Sequence, residues 1–93
     1  MATIHIQQEH NLGITTAKER VTKLAEQLHD RLSVETHWEA NKLIIHRAGA
    51  DGTILVEPNL VTVDVDLGVL LAAFKDAVEG ELRGFLSENL DYL

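Results

Sequence analysis

The sequence predicts a two-layer α+β sandwich in the order β-α-β-β-β-β-α, with an antiparallel-rich sheet and two helices on one face of it. Apolar and polar residues alternate in several short runs, which is the period of half-buried strands. Two longer runs repeat their apolar residues at helical spacing. At 93 residues the chain has room for one hydrophobic core, so residues 1–93 are expected to form a single α+β domain.

The N-terminal part predicts a strand followed by a helix. Residues 3–7 alternate between apolar and polar, so they are expected to form a strand with Ile4 and Ile6 on its buried side. Thr16 and Glu19 have the Thr-x-x-Glu spacing of a capping box, which predicts that the helix begins at Thr16. The buried stripe of this helix is expected to contain Val21, Leu24, Ala25, Leu28 and Leu32.

A series of short strands separated by turn residues follows. Ala40 and Asn41 are interpreted as a two-residue hairpin loop, which places Trp38 opposite Leu43 on the buried face of the sheet. Both faces of this register pair compatible side chains, which favours it. Further turns are expected at 48–52 and 58–59, and the strands at 34–39, 43–47, 53–57 and 60–66.

Apolar residues at helical spacing predict a second helix that begins after Asp66, with this aspartate as its N-cap. Gly80 and Gly84 lie within it, and each costs about 1 kcal/mol relative to alanine, so the C-terminal half of the helix is expected to be weak. The buried stripe is expected to contain Leu67, Leu70, Leu71, Phe74, Val78, Leu82, Phe85 and Leu86.

The composition restricts the classes of function. The chain has 15 acidic and 8 basic residues and a net charge of −7, whereas a protein that binds nucleic acid or anionic lipid needs a basic surface. It contains no cysteine, which fits a cytoplasmic protein and excludes thiolate chemistry. The sequence lacks a signal-peptide pattern and an apolar stretch of roughly 18 residues. We therefore expect a cytoplasmic protein without a nucleic-acid partner or a membrane span.

Candidate catalytic and metal-binding residues are few. The five histidines lack HExxH or close His-x-His spacing, so they are interpreted as solvated surface residues rather than zinc ligands. Asp64 and Asp66 offer oxygen ligands to a divalent cation, but an acidic strand end is the simpler interpretation. Ser33 and Ser87 have no evident histidine and carboxylate to activate them. We expect no catalytic residue, no cofactor and no metal site, and a protein that is not an enzyme.

The sheet face opposite the two helices, called the outer face below, is expected to stay uncovered within one chain. Its mixture of apolar, histidine and acidic side chains predicts an interaction face, and we expect a homodimer to form through it. The residues expected on this face are His5, His37, Ile44, His46, Leu55, Thr62 and Asp64.

Residues spread over nearly the whole chain carry a family resemblance through their order and spacing. They are Ile4-His5-Ile6, His10, Leu12, the helix at 17–28, Trp38, Arg47, Gly49, Gly52 and the segment 63–71 with Leu67-Gly68. In these features the chain resembles the small polyhydroxyalkanoic acid system proteins of bacteria. The resemblance implies an accessory role in storage-polyester metabolism, with a granule protein or the polyester surface as partner, and it carries over no catalytic residues. The lysines that it implies at the start of the second helix are reduced here to Lys75.

Two other functions stay open. The order of strands and helices is similar to that of bacterial hibernation-promoting factors, which would make the chain a ribosome-associated factor, although the acidic second helix argues against RNA binding. The space between the sheet and the second helix would suit a small-molecule binding module for acyl or hydroxyacyl ligands. A dimer would then have to supply part of the cavity volume.

Overall fold

The computed structural model describes residues 2–89, which form one five-stranded antiparallel sheet and two α-helices. The predicted element order is confirmed. The strand order is β1-β5-β4-β3-β2. Strands β2 to β5 are therefore neighbours in sequence order, and β1 lies beside β5 at the edge of the sheet. The elements are β1 (Ala2–Glu9), α1 (Gly13–Leu32), β2 (Glu35–Glu39), β3 (Lys42–Arg47), β4 (Ala50–Val56), β5 (Leu60–Leu67), a 3-10 turn (Ala72–Phe74) and α2 (Lys75–Asn89).

The core lies between one face of the sheet and the two helices. Every second residue of the strands points into it, beginning with Ile4 and Ile6 on β1, which are 1 % and 2 % exposed. Leu24 of α1 and Leu86 of α2 belong to the same buried cluster, so both helices cover the same face. The other buried strand residues of this cluster are Leu43, Ile45, Ile54, Val56, Val61, Val63 and Leu67.

The predicted hairpin register is confirmed. Trp38 pairs with Leu43 across β2 and β3, and Ala40-Asn41 forms the two-residue loop between the strands. Ala40 has a φ of 55°, a conformation that glycine adopts more easily. Lys18 Nζ donates to the carbonyl of Ala40 at 3.0 Å and lies 4.7 Å from the centre of the Trp38 ring. The loop is therefore tied to α1.

The start of α1 and the start of β4 differ from the prediction. α1 begins at Gly13, and its N-cap Leu12 makes no side-chain capping bond, so the capping box expected at Thr16 and Glu19 lies inside the helix. β4 begins at Ala50 rather than at Thr53, which leaves a shorter turn before it. Both elements extend toward the N-terminus because backbone pairing continues past the polar residues that suggested a boundary.

The predicted start of the second helix is wrong. Asp66 is in β5, where it pairs with Thr3, and Leu67 pairs with Ala2, so neither residue belongs to a helix. α2 begins only at Lys75. The chain leaves the sheet after Leu67 but does not become helical until Ala72. Leu70 and Leu71 therefore do not lie on one side of a helix.

His10 is buried, which corrects the expectation that all five histidines lie on the surface. Its Nδ1 accepts the backbone N–H of Leu12 at 3.1 Å, so Nε2 carries the proton and donates to the carbonyl of Glu57 at 3.0 Å. The backbone N–H of His10 donates to the backbone carbonyl of Asn59 at 3.0 Å. His10 therefore joins the end of β1 to the loop between β4 and β5, and its burial is offset by hydrogen bonds.

Candidate functional site

The outer face contains all seven residues that the sequence predicted there, because cross-strand partners share a face. One row runs across the sheet from His5 through Asp64, Thr53 and Ile44 to His37. A second row contains Leu55 and Thr62, and a third contains His46. That a partner binds to this face stays a prediction.

The exposed groups of the outer face are mainly polar, and they pair with one another. His5 Nδ1 lies 2.5 Å from Asp64 Oδ1, and His46 Nδ1 lies 2.5 Å from Asp51 Oδ1. His37 Nε2 lies 3.2 Å from an oxygen of Glu39. These side chains are more than half exposed, so water screens the pairs and each contributes little to stability.

The surface has an open depression on the outer face and another at the edge of α1. The first, of about 240 Å³, is lined by Asp51, Asp64 and Asp66 on the outer face. The second, of about 500 Å³, lies between α1 and β2 beside Trp38 and His29. Among residues 2–89, no group of three histidine or acidic side chains is placed to hold a metal ion.

A different surface carries most of the exposed apolar side chains. Residues 68–74, called the apolar segment below, connect β5 to α2. Val69 is 78 % exposed, Leu70 is 88 % exposed and Phe74 is 58 % exposed. In the described part of the chain, the remaining large apolar residue classed as exposed is Leu55 of the outer face, at 39 %. The exposure of Leu70 and Phe74 corrects the expectation that both lie on a buried stripe.

Backbone hydrogen bonds and one packed leucine anchor the apolar segment, although Val69, Leu70 and Phe74 are exposed. The N–H of Gly68 donates to the carbonyl of Gly49 at 2.7 Å, which joins the start of the segment to the turn before β4. The N–H of Leu71 and that of Ala72 donate to the carbonyl of Gly68 at 3.1 and 3.0 Å. Leu71 is half-buried and packs against the core, so it anchors the segment.

Gly49 has no side chain to obstruct the packing of Leu71. Its φ is +88°, a conformation in which alanine is strained, and a Cβ at this position would lie 3.3 Å from Cδ1 of Leu71. The anchor Leu71 therefore packs directly over a backbone that has no side chain. Val69, Leu70 and Phe74 remain exposed at the junction of β5 and α2.

Sequence reasoning missed the apolar segment because its leucines fit a helical period. The signal that could have found it is the run 69–74, the longest uninterrupted apolar run in the sequence, directly after Gly68. A continuous run of this kind has no polar side and cannot be half-buried in the usual way. None of the described helices is both long and apolar enough to cross a bilayer.

Comparison with known proteins supports the family resemblance. The sequence model of a family described as "Putative polyhydroxyalkanoic acid system protein" matches residues 4–90. No curated protein and no solved structure gives a significant match. The match begins at Ile4 within β1 and includes α1, the apolar segment and α2. The chain therefore belongs to the polyhydroxyalkanoic acid system protein family.

Proposed function

We propose that this chain is a non-enzymatic accessory protein of the polyhydroxyalkanoate system in the bacterial cytoplasm. It binds the uncharged surface of the storage polyester through the apolar segment. The observation that carries the proposal is the exposure of Val69, Leu70 and Phe74 within one short, anchored segment. The family's description links the chain to the polyhydroxyalkanoic acid system, and this supports the choice of the polyester as the partner.

The energetics favour an apolar partner for this segment. Covering an exposed leucine or phenylalanine completely contributes about 1.5–3 kcal/mol. Three such side chains together contribute about 5–9 kcal/mol. The cost of association is of the same order, so the attachment is expected to be weak and reversible. Because hydrogen bonds already fix the backbone of the segment, little additional order has to be imposed on binding.

Charge distinguishes a polyester surface from a phospholipid surface. With a net charge of −7, the chain is repelled by anionic headgroups. The start of α2, which follows the apolar segment, carries Asp76 and Glu79 beside Lys75 and adds no basic patch. A polyester of hydroxyalkanoic acids presents neutral ester groups and alkyl chains, so it attracts the apolar side chains without this repulsion.

Co-sedimentation with purified polymer particles tests the proposal. The wild-type chain should sediment with the particles in a manner that added salt does not weaken, and Leu70→Ser should bind about 10-fold to 100-fold more weakly. Leu55→Ser is the matched control, since it removes an exposed leucine from the outer face and should bind as the wild type does. If Leu55→Ser releases the protein and Leu70→Ser does not, the contact is made by the outer face and the proposal is wrong.

A further inference from the structure

The two edges of the sheet are protected to different degrees. β2, at one edge, has five residues, among them Glu35 and Glu39. Charged side chains on a short strand are a usual protection against pairing with another chain. β1, at the other edge, has eight residues in continuous register with β5, without proline, and His5 is its sole ionisable residue before Glu9. β1 is therefore the edge that is open to a further strand.

The direction of the β1 backbone groups follows from one hydrogen bond at its end. The N–H of His10 donates to Asn59 at 3.0 Å, so at this position the backbone faces β5. Because backbone groups alternate in direction along a strand, those of Thr3, His5 and Gln7 face away from the sheet. These three residues form an edge with unused donors and acceptors within the part of the chain that the structure describes.

We propose that β1 pairs in antiparallel fashion with β1 of a second copy of this chain, with His5 on the two-fold axis. In this register Thr3 lies opposite the partner's Gln7, so polar side chains meet on the outer face. Ile4 lies opposite the partner's Ile6, which continues the apolar layer under the helices. A shift of two residues in one direction would place Ile4 opposite the partner's Gln8. A shift in the other direction would place Ile6 opposite the partner's Ala2 and shorten the paired segment.

Charge and local hydrogen bonding favour the register centred on His5. Glu9 stays outside it, and the carbonyl of Glu9 already accepts the side-chain amide of Gln8 at 3.2 Å. The pairing strands carry no acidic residue between Thr3 and Gln8, so the net charge of −7 opposes contact less here than on the acid-rich outer face. Sheet pairing in the plane leaves the outer face and the apolar segment uncovered, so the inference does not depend on the proposed function.

A cysteine scan of the two edges tests the pairing, because the natural chain contains no cysteine. In His5→Cys the two cysteines would face each other across a hydrogen-bonded pair with Cα atoms about 5.5 Å apart, a separation that a disulfide spans. His37→Cys is the matched control, since it is equally exposed, lies next to an acidic partner and occupies the β2 edge. Mild oxidation should link His5→Cys into a dimer and leave His37→Cys as single chains.

Proline substitution separates pairing from folding. Gln7→Pro removes an outward N–H and leaves the hydrogen bonds to β5 intact, so the solution mass should fall from that of two chains to that of one. Thr36→Pro removes an outward N–H from β2 and should leave the mass unchanged. Circular dichroism should show both variants folded, and the folded Gln7→Pro monomer should still bind polymer particles.

Three results would overturn the proposal. The wild-type chain could keep the mass of a single chain across a concentration series. His37→Cys could form a disulfide faster than His5→Cys. A folded Gln7→Pro could remain dimeric, which would move the interface elsewhere, for example to the outer face. If Gln7→Pro fails to fold, hydrogen exchange of the wild-type amides of Thr3, His5 and Gln7 decides: concentration-dependent protection supports the pairing, and its absence contradicts it.

Discussion

Replacing Gly49 with alanine tests the junction that holds the apolar segment. Two costs arise from this change. At a φ of +88°, alanine loses about 1–2 kcal/mol, partly offset by about 0.4–1 kcal/mol because the unfolded chain is less flexible. The new Cβ would also lie 3.3 Å from Leu71 Cδ1, so Leu71 has to move, at a further cost of about 1 kcal/mol. We expect a total loss of about 2 kcal/mol in the free energy of unfolding.

Gly13→Ala isolates the backbone part of this loss. Gly13 has a φ of +78°, and nothing lies within 4 Å of where its Cβ would be. It should therefore lose only about 1 kcal/mol. In thermal unfolding, where 1 kcal/mol corresponds to about 4–8 °C for a domain of this size, Gly49→Ala should lower the midpoint about twice as much as Gly13→Ala. Equal losses in the two variants would refute the packing of Leu71 over Gly49, and so the anchoring of the segment.

Four further substitutions test other parts of the fold, each by urea denaturation. Gly80→Ala and Gly84→Ala should each raise the free energy of unfolding by about 1 kcal/mol, because both glycines lie in α2 with open space around them; a loss would mean that a close contact occupies that space. Ala40→Gly should stabilise the hairpin by about 0.5–1 kcal/mol, since φ is 55°, whereas Ala48→Gly should not; destabilisation at both positions would contradict the loop geometry. His10→Ala should cost about 3 kcal/mol, because it leaves a cavity in place of a buried side chain and removes two part-buried hydrogen bonds to the backbone; a change below about 1 kcal/mol would contradict the burial of His10.

The hairpin between β2 and β3 shows what the sequence predicts well. A two-residue loop at Ala40-Asn41 fixes the register, and the alternation on both strands then decides which residues face the core. This information is local, so the pairing of Trp38 with Leu43 was predictable. The same alternation placed all seven residues of the outer face together.

Strand order and the start of the second helix were not predictable from these patterns. Alternation shows which side of β1 is buried but not which strand lies beside it, because α1 separates β1 from the rest of the sheet. Leu67 fits two periods at once, since it continues the alternation of β5 and also stands at helical spacing from Leu70 and Leu71. The hydrogen bond from Gly68 to Gly49 decides in favour of the strand, and it joins residues that are distant in sequence.

The exposure of the apolar segment was missed for the same reason. A leucine at helical spacing is usually buried, and the exposure of Leu70 depends on where the chain leaves the sheet. The burial of His10 was not predicted because it depends on hydrogen bonds to the backbone of Leu12 and Glu57. Residue types alone do not indicate such bonds. Both errors concern contacts between segments and not the pattern within one segment.

The proposed contact between the apolar segment and the polyester can be tested directly by labelling, since the natural chain has no cysteine. An environment-sensitive fluorophore is attached at Ala73→Cys in the apolar segment, which leaves Val69, Leu70 and Phe74 in place, and, separately, at Thr62→Cys on the outer face. When polymer particles are added, emission at position 73 should shift to the blue and become protected from an aqueous quencher, while emission at position 62 should stay unchanged. Protection at position 62 with position 73 still open to the quencher would contradict the assignment of the apolar segment as the polyester-binding surface.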